Sequence, residues 1–195
     1  TQIVSQDARD DQEARILNRV VRATPEGWEL EADQRHAEML ISGLSLGDAK
    51  AVKTPGEDAK SWDVDDNEIP LDAEQATTYR RLAARATYLA LDRPDLQYSV
   101  KEVCRLMANP TRGGWKALKR IGRYLIGAPR LVMKYPWQVD IDEADGYGDS
   151  DWAGCRRTLK SISGGAIMIG CHYIKGWSRT QQSITLSSAE AELVA

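Results

Sequence analysis

Two aspartates lie two residues apart in the segment "GYGDSDW", residues 146–152. In a β-strand, residues i and i+2 point to the same face, so Asp149 and Asp151 would project side by side. Two neighbouring carboxylates repel each other unless a cation or solvent lies between them, and Mg²⁺ takes oxygen ligands of this kind. The segment therefore predicts either a divalent-metal site or a strand end at which Asp and Gly begin a turn.

The final segment, "SSAEAELVA", contains two glutamates that differ in role. Ser187 and Glu190 have the spacing of a capping box, in which the serine bonds the third helical amide and the glutamate reaches back to the cap. Glu192 has no such duty and lies about 200° round the helix from Glu190. It is therefore free to face the strand that carries Asp149, and a solvent-exposed position is the alternative.

A basic helix is the third candidate, predicted over residues 112–127. On a helical wheel its apolar side chains, Trp115, Leu118, Ile121 and Leu125, fall on one side. The opposite side carries five cations, which are Arg112, Lys116, Lys119, Arg120 and Arg123. No acids at i+4 spacing offset their mutual repulsion. The pattern indicates a face that binds nucleic-acid phosphates, or else a solvated charged face.

Turn signals and periodicity predict the elements that position these residues. The Pro and Gly of "ATPEG" separate residues 16–22 from 28–31, which predicts a hairpin, and Asp33 caps a following helix. Two more helices are predicted over 72–91 and 95–108. Four strands follow from residue 131, with "LVMKY", "GYGDSDW", "GGAIMIG" and "HYIKGWS" as their sequences. "SISGG" is predicted as a hairpin turn, and the isolated Trp62, Trp137 and Trp177 are predicted to fill cores.

Composition restricts the class of protein. With 195 residues, 42% of them hydrophobic, the chain can bury a sizeable core. No run approaches the roughly 18 apolar residues of a membrane span, and no secretion signal is recognisable. Three cysteines without metal-type spacing indicate reduced thiols and an intracellular setting. The net charge of −3 is unevenly distributed, because residues 101–134 are basic and residues 135–155 acidic.

Several longer phrases occur in an order and at a spacing typical of one family. They are "YRRLAARATYLALDRPDLQYSVKEVCRLMANPT", "WKALKRIGRYLIG", "GYGDSDWAG", "SISGGAIMIG" and "SITLSSAEAELVA". On these residues the chain resembles the Pol polyproteins of copia-type long-terminal-repeat retrotransposons, from the end of reverse transcriptase into ribonuclease H. The resemblance is highly specific over residues 79–195 and weaker over 16–55.

This resemblance implies an α+β chain in four parts. Residues 1–52 would be a palm end with a β-hairpin and a helix, and 53–71 an acidic linker. Residues 72–136 would be thumb and connection helices that grip a template-primer duplex. Residues 137–195 would be the N-terminal half of ribonuclease H, a three-stranded antiparallel sheet with its first helix.

The resemblance also implies site residues. Asp149 and Glu192 would be two of four acids that hold two Mg²⁺ ions at the scissile phosphate of an RNA–DNA hybrid. Asp151 would be only a neighbour. The partners implied are the hybrid or template-primer duplex and the remainder of the Pol polyprotein, and no membrane. The implied activities of the polyprotein are RNA-directed DNA synthesis and cleavage of RNA in hybrids, and the implied setting is a cytoplasmic particle, the nucleus or both.

Two departures from the family pattern limit these expectations. The polymerase signature Tyr-x-Asp-Asp does not occur, and the ribonuclease H pattern runs into Ala195 without the segments that supply the other two acids. The chain is therefore expected to be a piece of a longer protein and inactive alone. Two alternatives stay open: a non-catalytic hybrid-binding remnant, and a metal-free hydrolase using Asp149 and Glu192 as acid and base.

Overall fold

A computed structural model describes residues 3–57, 69–139, 141–155 and 158–195. The chain divides into two compact units. One contains residues 1–16, 20–30 and 133–195, and the other contains residues 17–19 and 31–132. Among the described residues, the first unit holds two β-sheets and one α-helix and the second holds four α-helices, so the class is α+β as predicted.

The first sheet has four strands in the order β1-β2-β3-β4. Their bounds are Glu13–Ile16 for β1, Arg19–Thr24 for β2, Gly27–Glu31 for β3 and Val132–Pro136 for β4. The predicted hairpin is present as β2 and β3, with the turn at residues 25–26. Gly27 allows a close approach, because a Cβ there would lie 2.1 Å from the carbonyl oxygen of Tyr135 on β4.

The second sheet is antiparallel, in the order β5-β6-β7. Its strands are β5 at Asp145–Cys155, β6 at Lys160–Ile169 and β7 at His172–Thr180, and α5 follows at Ser188–Val194. The prediction of a turn at "SISGG" is wrong, because residues 161–165 lie inside β6. Glycine in that segment has a packing reason instead, since a Cβ on Gly165 would lie 2.2 Å from the Trp177 ring.

The tryptophan predictions have mixed outcomes. Trp177 is half-buried and packs against Gly165, whereas Trp137 is 57% exposed and its placement in a core is wrong. Its indole N–H still has a partner, because it donates to the Pro25 carbonyl at 3.2 Å. Trp62 lies outside the described residues, as does most of the predicted acidic linker.

The helical unit contains α1 at Gln34–Gly43, α2 at Ala73–Ala90, α3 at Gln97–Cys104 and α4 at Arg112–Gly127, with a short 3₁₀ turn at Pro94–Leu96. The predicted cap is confirmed, since Asp33 accepts a hydrogen bond from the Arg35 amide. Asp72 and Thr111 cap α2 and α4 in the same way. Each cap satisfies an amide that would otherwise lack a partner, typically stabilising the helix by about 1 kcal/mol.

Apolar side chains from all four helices form the core of this unit. Its fully buried members include Leu40, Leu96, Leu118 and Leu125. Burying a leucine side chain contributes about 1.5–3 kcal/mol, so this cluster is the main source of the unit's stability. None of the described helices is long and apolar enough to cross a membrane.

Two polar contacts tie the helices together inside this core. The buried Tyr79 hydroxyl donates to the Val103 carbonyl at 2.6 Å. Arg93, only 1% exposed, donates to both carboxylate oxygens of Asp95, which also accepts from the Tyr124 hydroxyl at 2.8 Å. These bonds fix the 3₁₀ turn against α4.

Candidate functional site

The helix that carries Glu192 begins at a cap made by its own sequence. Ser187 accepts a hydrogen bond from the Glu190 amide at 3.1 Å, as the capping box predicts. The Glu190 carboxylate reaches one residue further back than predicted and accepts from the Leu186 amide at 2.7 Å. Glu190 is thus used at the helix start, which leaves Glu192 as the glutamate available for another role.

Glu192 lies against β5. Its Oε1 accepts two hydrogen bonds from Ser150, one from the amide at 3.2 Å and one from the hydroxyl at 3.1 Å. Ser150 directly follows Asp149, so the carboxylate of α5 meets the strand one residue from the predicted acid. Because β5 is at the edge of the described sheet, its outward amides have no strand to bond, and Glu192 satisfies one of them.

Asp149 and Asp151 lie on the other face of β5. Ser150 is opposite Ser163 of β6, which lies on the side where α5 packs, and Asp149 is opposite Gly164. Alternation along the strand puts both aspartates on the face away from α5. Both are solvent-exposed. The two acids nearest each other along the chain thus share a face, and Glu192 approaches the strand from the opposite side.

The carboxylates of Asp149 and Glu192 are ligands of the kind that a hard divalent cation binds, but there are too few of them to hold one. Asp149 and Glu192 supply carboxylate oxygens, which Mg²⁺ prefers. In the described part of the chain, however, no group of three or more His, Cys, Asp or Glu side chains could hold a metal ion. These two residues by themselves do not make a complete metal site.

The basic face of α4, defined as Arg112, Lys116, Lys119, Arg120 and Arg123, is partly occupied by the chain itself. Arg120 donates to the Gly56 carbonyl at 3.1 Å and to the Thr54 hydroxyl at 2.9 Å, and it forms an ion pair with Glu57. Arg123 donates to the Lys50 carbonyl at 2.7 Å. The helix itself has no acid at i+4 spacing from these cations, but Arg120 pairs with Glu57, which lies 63 residues earlier in the sequence.

The rest of the basic face has a different environment. Arg112 is exposed and Lys119 half-buried, and neither forms an ion pair with any residue that the structure describes. The opposite side of the helix packs into the core through Leu118, Ile121 and Leu125, as the helical wheel predicted. Arg112 and Lys119 therefore present charge from a rigid support.

A group of polar residues under α5 was not predicted. We call this group, Ser161, Ser163, Gln181 and Thr185, the polar layer, and its members are at most 6% exposed. Ser161 and Thr185 hydroxyls are 2.7 Å apart, and Gln181 donates to the Ser163 hydroxyl at 3.0 Å. In the sequence, only the alternation of Ser161 and Ser163 along β6 was visible. Their partners Thr185 and Gln181 lie 24 and 18 residues further along the chain.

Comparison with known proteins identifies the relatives of this chain. No protein-family model matches it, and no solved structure matches it. The Pol polyprotein from transposon RE2 of Arabidopsis thaliana is 32% identical over 174 residues, which is 88% of this chain and 11% of the polyprotein. The corresponding polyprotein from transposon RE1 is 31% identical over 173 residues, again 88% of this chain and 11% of the relative.

A shorter relative covers the same region. The uncharacterized mitochondrial protein AtMg00810 of Arabidopsis thaliana is 29% identical over 174 residues, which is 88% of this chain and 69% of that protein. The chain thus spans about a tenth of the Pol polyproteins it matches. The homologues of this chain, at about 30% identity over most of its length, are thus copia-type retrovirus-related Pol polyproteins from transposons.

Proposed function

We propose that this chain is the segment of a retrotransposon Pol polyprotein that joins the end of reverse transcriptase to the start of ribonuclease H, and that it binds RNA–DNA hybrid through the basic face of α4. One observation carries the binding proposal. Arg112 and Lys119 have no ion pair in the described residues and stand on a helix whose other side is buried. A phosphate backbone would supply the negative charge that this part of the helix lacks.

The same proposal assigns each segment of the chain to a part of the polyprotein. Residues 1–52 would be the palm end, 53–71 a linker, and 72–136 the thumb and connection helices. Residues 137–195 would be the first part of ribonuclease H, which the order of three antiparallel strands followed by a helix supports. The polyprotein would synthesise DNA on RNA and cleave RNA within the hybrid.

Asp149 and Glu192 would contribute to the cleavage site of the polyprotein. Glu192 reaches β5 one residue from Asp149, whose side chain lies on the opposite face of the strand, so the two carboxylates are close along β5 without sharing a face. They would hold Mg²⁺ only together with ligands from other residues, because two carboxylates hold this ion weakly against its own hydration. A bound ion would supply charge stabilisation at the scissile phosphate.

The alternative is a hybrid-binding segment without catalytic duty. The absence of a three-acid group in the described residues favours it, because binding through α4 requires no metal. Glu192 distinguishes the two functions, because cleavage of the hybrid requires its carboxylate and binding of the hybrid by α4 does not.

Cleavage of a labelled RNA–DNA hybrid by the whole polyprotein tests this difference. We expect Asp149→Asn and Glu192→Gln to lower the cleavage rate by about a hundredfold or more, as removal of a charged catalytic group commonly does. Hybrid affinity should stay unchanged in both variants. Asp151→Asn is the matched control, and we expect it to retain most of the activity. Full cleavage by Asp149→Asn and Glu192→Gln would overturn the catalytic role and leave the binding role.

A further inference from the structure

Apolar packing alone cannot fix the position of α5. This helix has seven residues, and Ala191 is its one buried residue. Leu193 is 90% exposed and Val194 51% exposed. A helix that buries a single methyl group gains little from any one register on the sheet. Its observed register must therefore depend on polar contacts.

Gln181 makes the most central of these contacts. It is 6% exposed, and its Nε2 donates to the Ala191 carbonyl at 2.8 Å and to the Ser163 hydroxyl at 3.0 Å. The Ala191 carbonyl is in the last turn of α5, where helical carbonyls lack intrahelical partners. The Ala195 amide, four residues further along, donates instead to the backbone carbonyl of Glu192 at 3.2 Å. Gln181 thus joins the last turn of α5 directly to β6.

The remaining polar layer fixes the approach to the helix. The Thr185 hydroxyl is 2.7 Å from that of Ser161, and the Trp152 indole N–H donates to the Thr185 carbonyl at 3.1 Å. These bonds hold the segment before α5 against β5 and β6. These bonds do not reach the C-terminal end of the helix, where Glu192 lies, and Gln181 bonds that end.

We propose that Gln181 is a positioning residue that holds the Glu192 carboxylate at the edge of β5. The importance of this position rests on the proposed function, in which Glu192 serves the cleavage site. The Ala191 carbonyl is adjacent to Glu192 in the chain, so anchoring it fixes the direction of the next side chain. A rotation of α5 by one residue would turn that side chain by 100° and break both bonds to Ser150.

The Ser150 amide is a direct reporter of this placement, and it needs neither nucleic acid nor metal. We expect Gln181→Met in the full chain to accelerate hydrogen exchange at Ser150 by about fivefold or more, because one anchoring bond is worth about that factor. Methionine fills a similar volume and removes both the donor and the buried Gln181 Oε1, which has no partner among the described residues. Its effect on global stability should therefore be small.

A double-variant cycle separates positioning from a general loosening. If Gln181 acts on Ser150 through Glu192, Gln181→Met should accelerate hydrogen exchange at Ser150 in the unmodified chain but add little in a Glu192→Ala background. Gln182→Met is the matched control, because Gln182 is the exposed neighbour of Gln181, and it should behave as the unmodified chain. An equal acceleration by Gln181→Met with and without the Glu192 carboxylate would overturn the proposal.

A second variant keeps the test decisive if Gln181→Met fails to fold. Ser163→Ala removes only the anchor of Gln181 on β6. We expect it to accelerate hydrogen exchange at the Ser150 amide as Gln181→Met does, and an unchanged exchange rate would count against the proposal. Failure of hybrid cleavage or binding with an intact Gln181 dependence at Ser150 would instead refute the proposed function alone.

Discussion

The pKa of the Asp95 carboxylate affects the stability of the helical unit at acid pH. Burial by itself would raise the pKa of Asp95, but hydrogen bonds and charge from Arg93, together with the Tyr124 hydroxyl, prevail and lower it. A carboxylate whose pKa is lowered by folding stabilises the protein above its unfolded pKa, and this contribution is lost as pH falls through the folded pKa.

The corresponding prediction concerns Asp95→Asn. The free energy of unfolding should be lower in this variant than in the unmodified chain at neutral pH, and the difference should shrink as pH falls below about 4. Denaturant titrations at several pH values measure it. Tyr124→Phe keeps the carboxylate and removes one donor, so it should show a smaller change of the same sign. A difference that does not vary with pH would contradict the assignment.

Tyr79 offers a second prediction at the scale of one residue. Its hydroxyl is buried with the Val103 carbonyl, and burial raises its pKa far above the ordinary value. We expect Tyr79→Phe to lower the free energy of unfolding by about 1–2 kcal/mol, because the Val103 carbonyl loses its buried partner. Thermal and denaturant unfolding measure the change. Tyr147→Phe, at an exposed position, should be neutral, and equal effects of the two variants would contradict this account.

Residues whose role depends on near neighbours in the chain could be predicted from the sequence. The capping box assigned Glu190 to the helix start, which left Glu192 available, and both assignments agree with the observed bonds. Ser150 and Gln181 were missed, because their roles depend on partners brought close only by the folded sheet. The catalytic role of Asp149 and Glu192 stays a prediction.

At the scale of elements, α4 depends on glycine for its close approach to the segment after α1. A Cβ on Gly122 would lie 2.6 Å from Leu46 Cδ1 and 3.1 Å from Leu44 Cδ1. We expect Gly122→Val to lower the free energy of unfolding by about 1–3 kcal/mol through overpacking. The gain in helix propensity, about 0.5 kcal/mol, is too small to offset it.

Gly47→Val is the control for this prediction, because no atom lies within 4 Å of a Cβ at Gly47. Denaturant unfolding of both variants measures the comparison. The control should stay close to the unmodified chain. A stable Gly122→Val variant would show that α4 does not approach Leu44 and Leu46 as closely as described.

Arg120 supports a prediction about segment 50–57. Its guanidinium bonds three groups of that segment, and a lysine at this position cannot reproduce them. We expect Arg120→Lys to accelerate tryptic cleavage after Lys53 by about fivefold, since the segment opens locally more often. The substitution keeps the tryptic site at position 120. Lys119→Arg is the matched control, and cleavage at the unmodified rate in Arg120→Lys would contradict the anchoring role.

Element positions followed closely from the sequence where punctuation is strong. Pro94, Pro110 and "GAP" end helical segments, and the observed α2, α3 and α4 agree with these limits to within a few residues. The turn at "SISGG" was wrong because Ser and Gly favour turns locally, whereas cross-strand pairing on both sides of β6 decides the outcome. Tertiary pairing of this kind leaves no local signal.

At the scale of the whole molecule, the distribution of charge along the chain bears on the proposed binding of nucleic acid. The chain aligns over 88% of its length with Pol polyproteins from transposons. Five of its 26 Lys and Arg residues lie on α4, within a basic stretch at residues 101–134, although the net charge is −3. The acidic region that follows carries Asp149. Nucleic-acid binding would therefore depend on a local surface and not on overall charge.

Metal removal gives a prediction for the isolated chain. Because the basic face of α4 needs no cation to attract phosphates, chelation of Mg²⁺ should change hybrid affinity by less than about twofold at fixed ionic strength. Fluorescence anisotropy with a labelled hybrid measures it. Loss of binding on chelation would show that the contact runs through a metal and not through α4.

The central claim is that Arg112 and Lys119 contact the phosphates of an RNA–DNA hybrid, and the salt dependence of hybrid affinity tests it most directly. We expect the double variant Arg112→Gln, Lys119→Gln to weaken binding and to reduce the slope of log affinity against log salt by about 2, since each lost phosphate contact removes about 0.9. Removing the same charge from β7 with Lys175→Gln, Arg179→Gln should leave the slope unchanged. An unchanged slope in the α4 variant, or an equal reduction in both, would contradict the account.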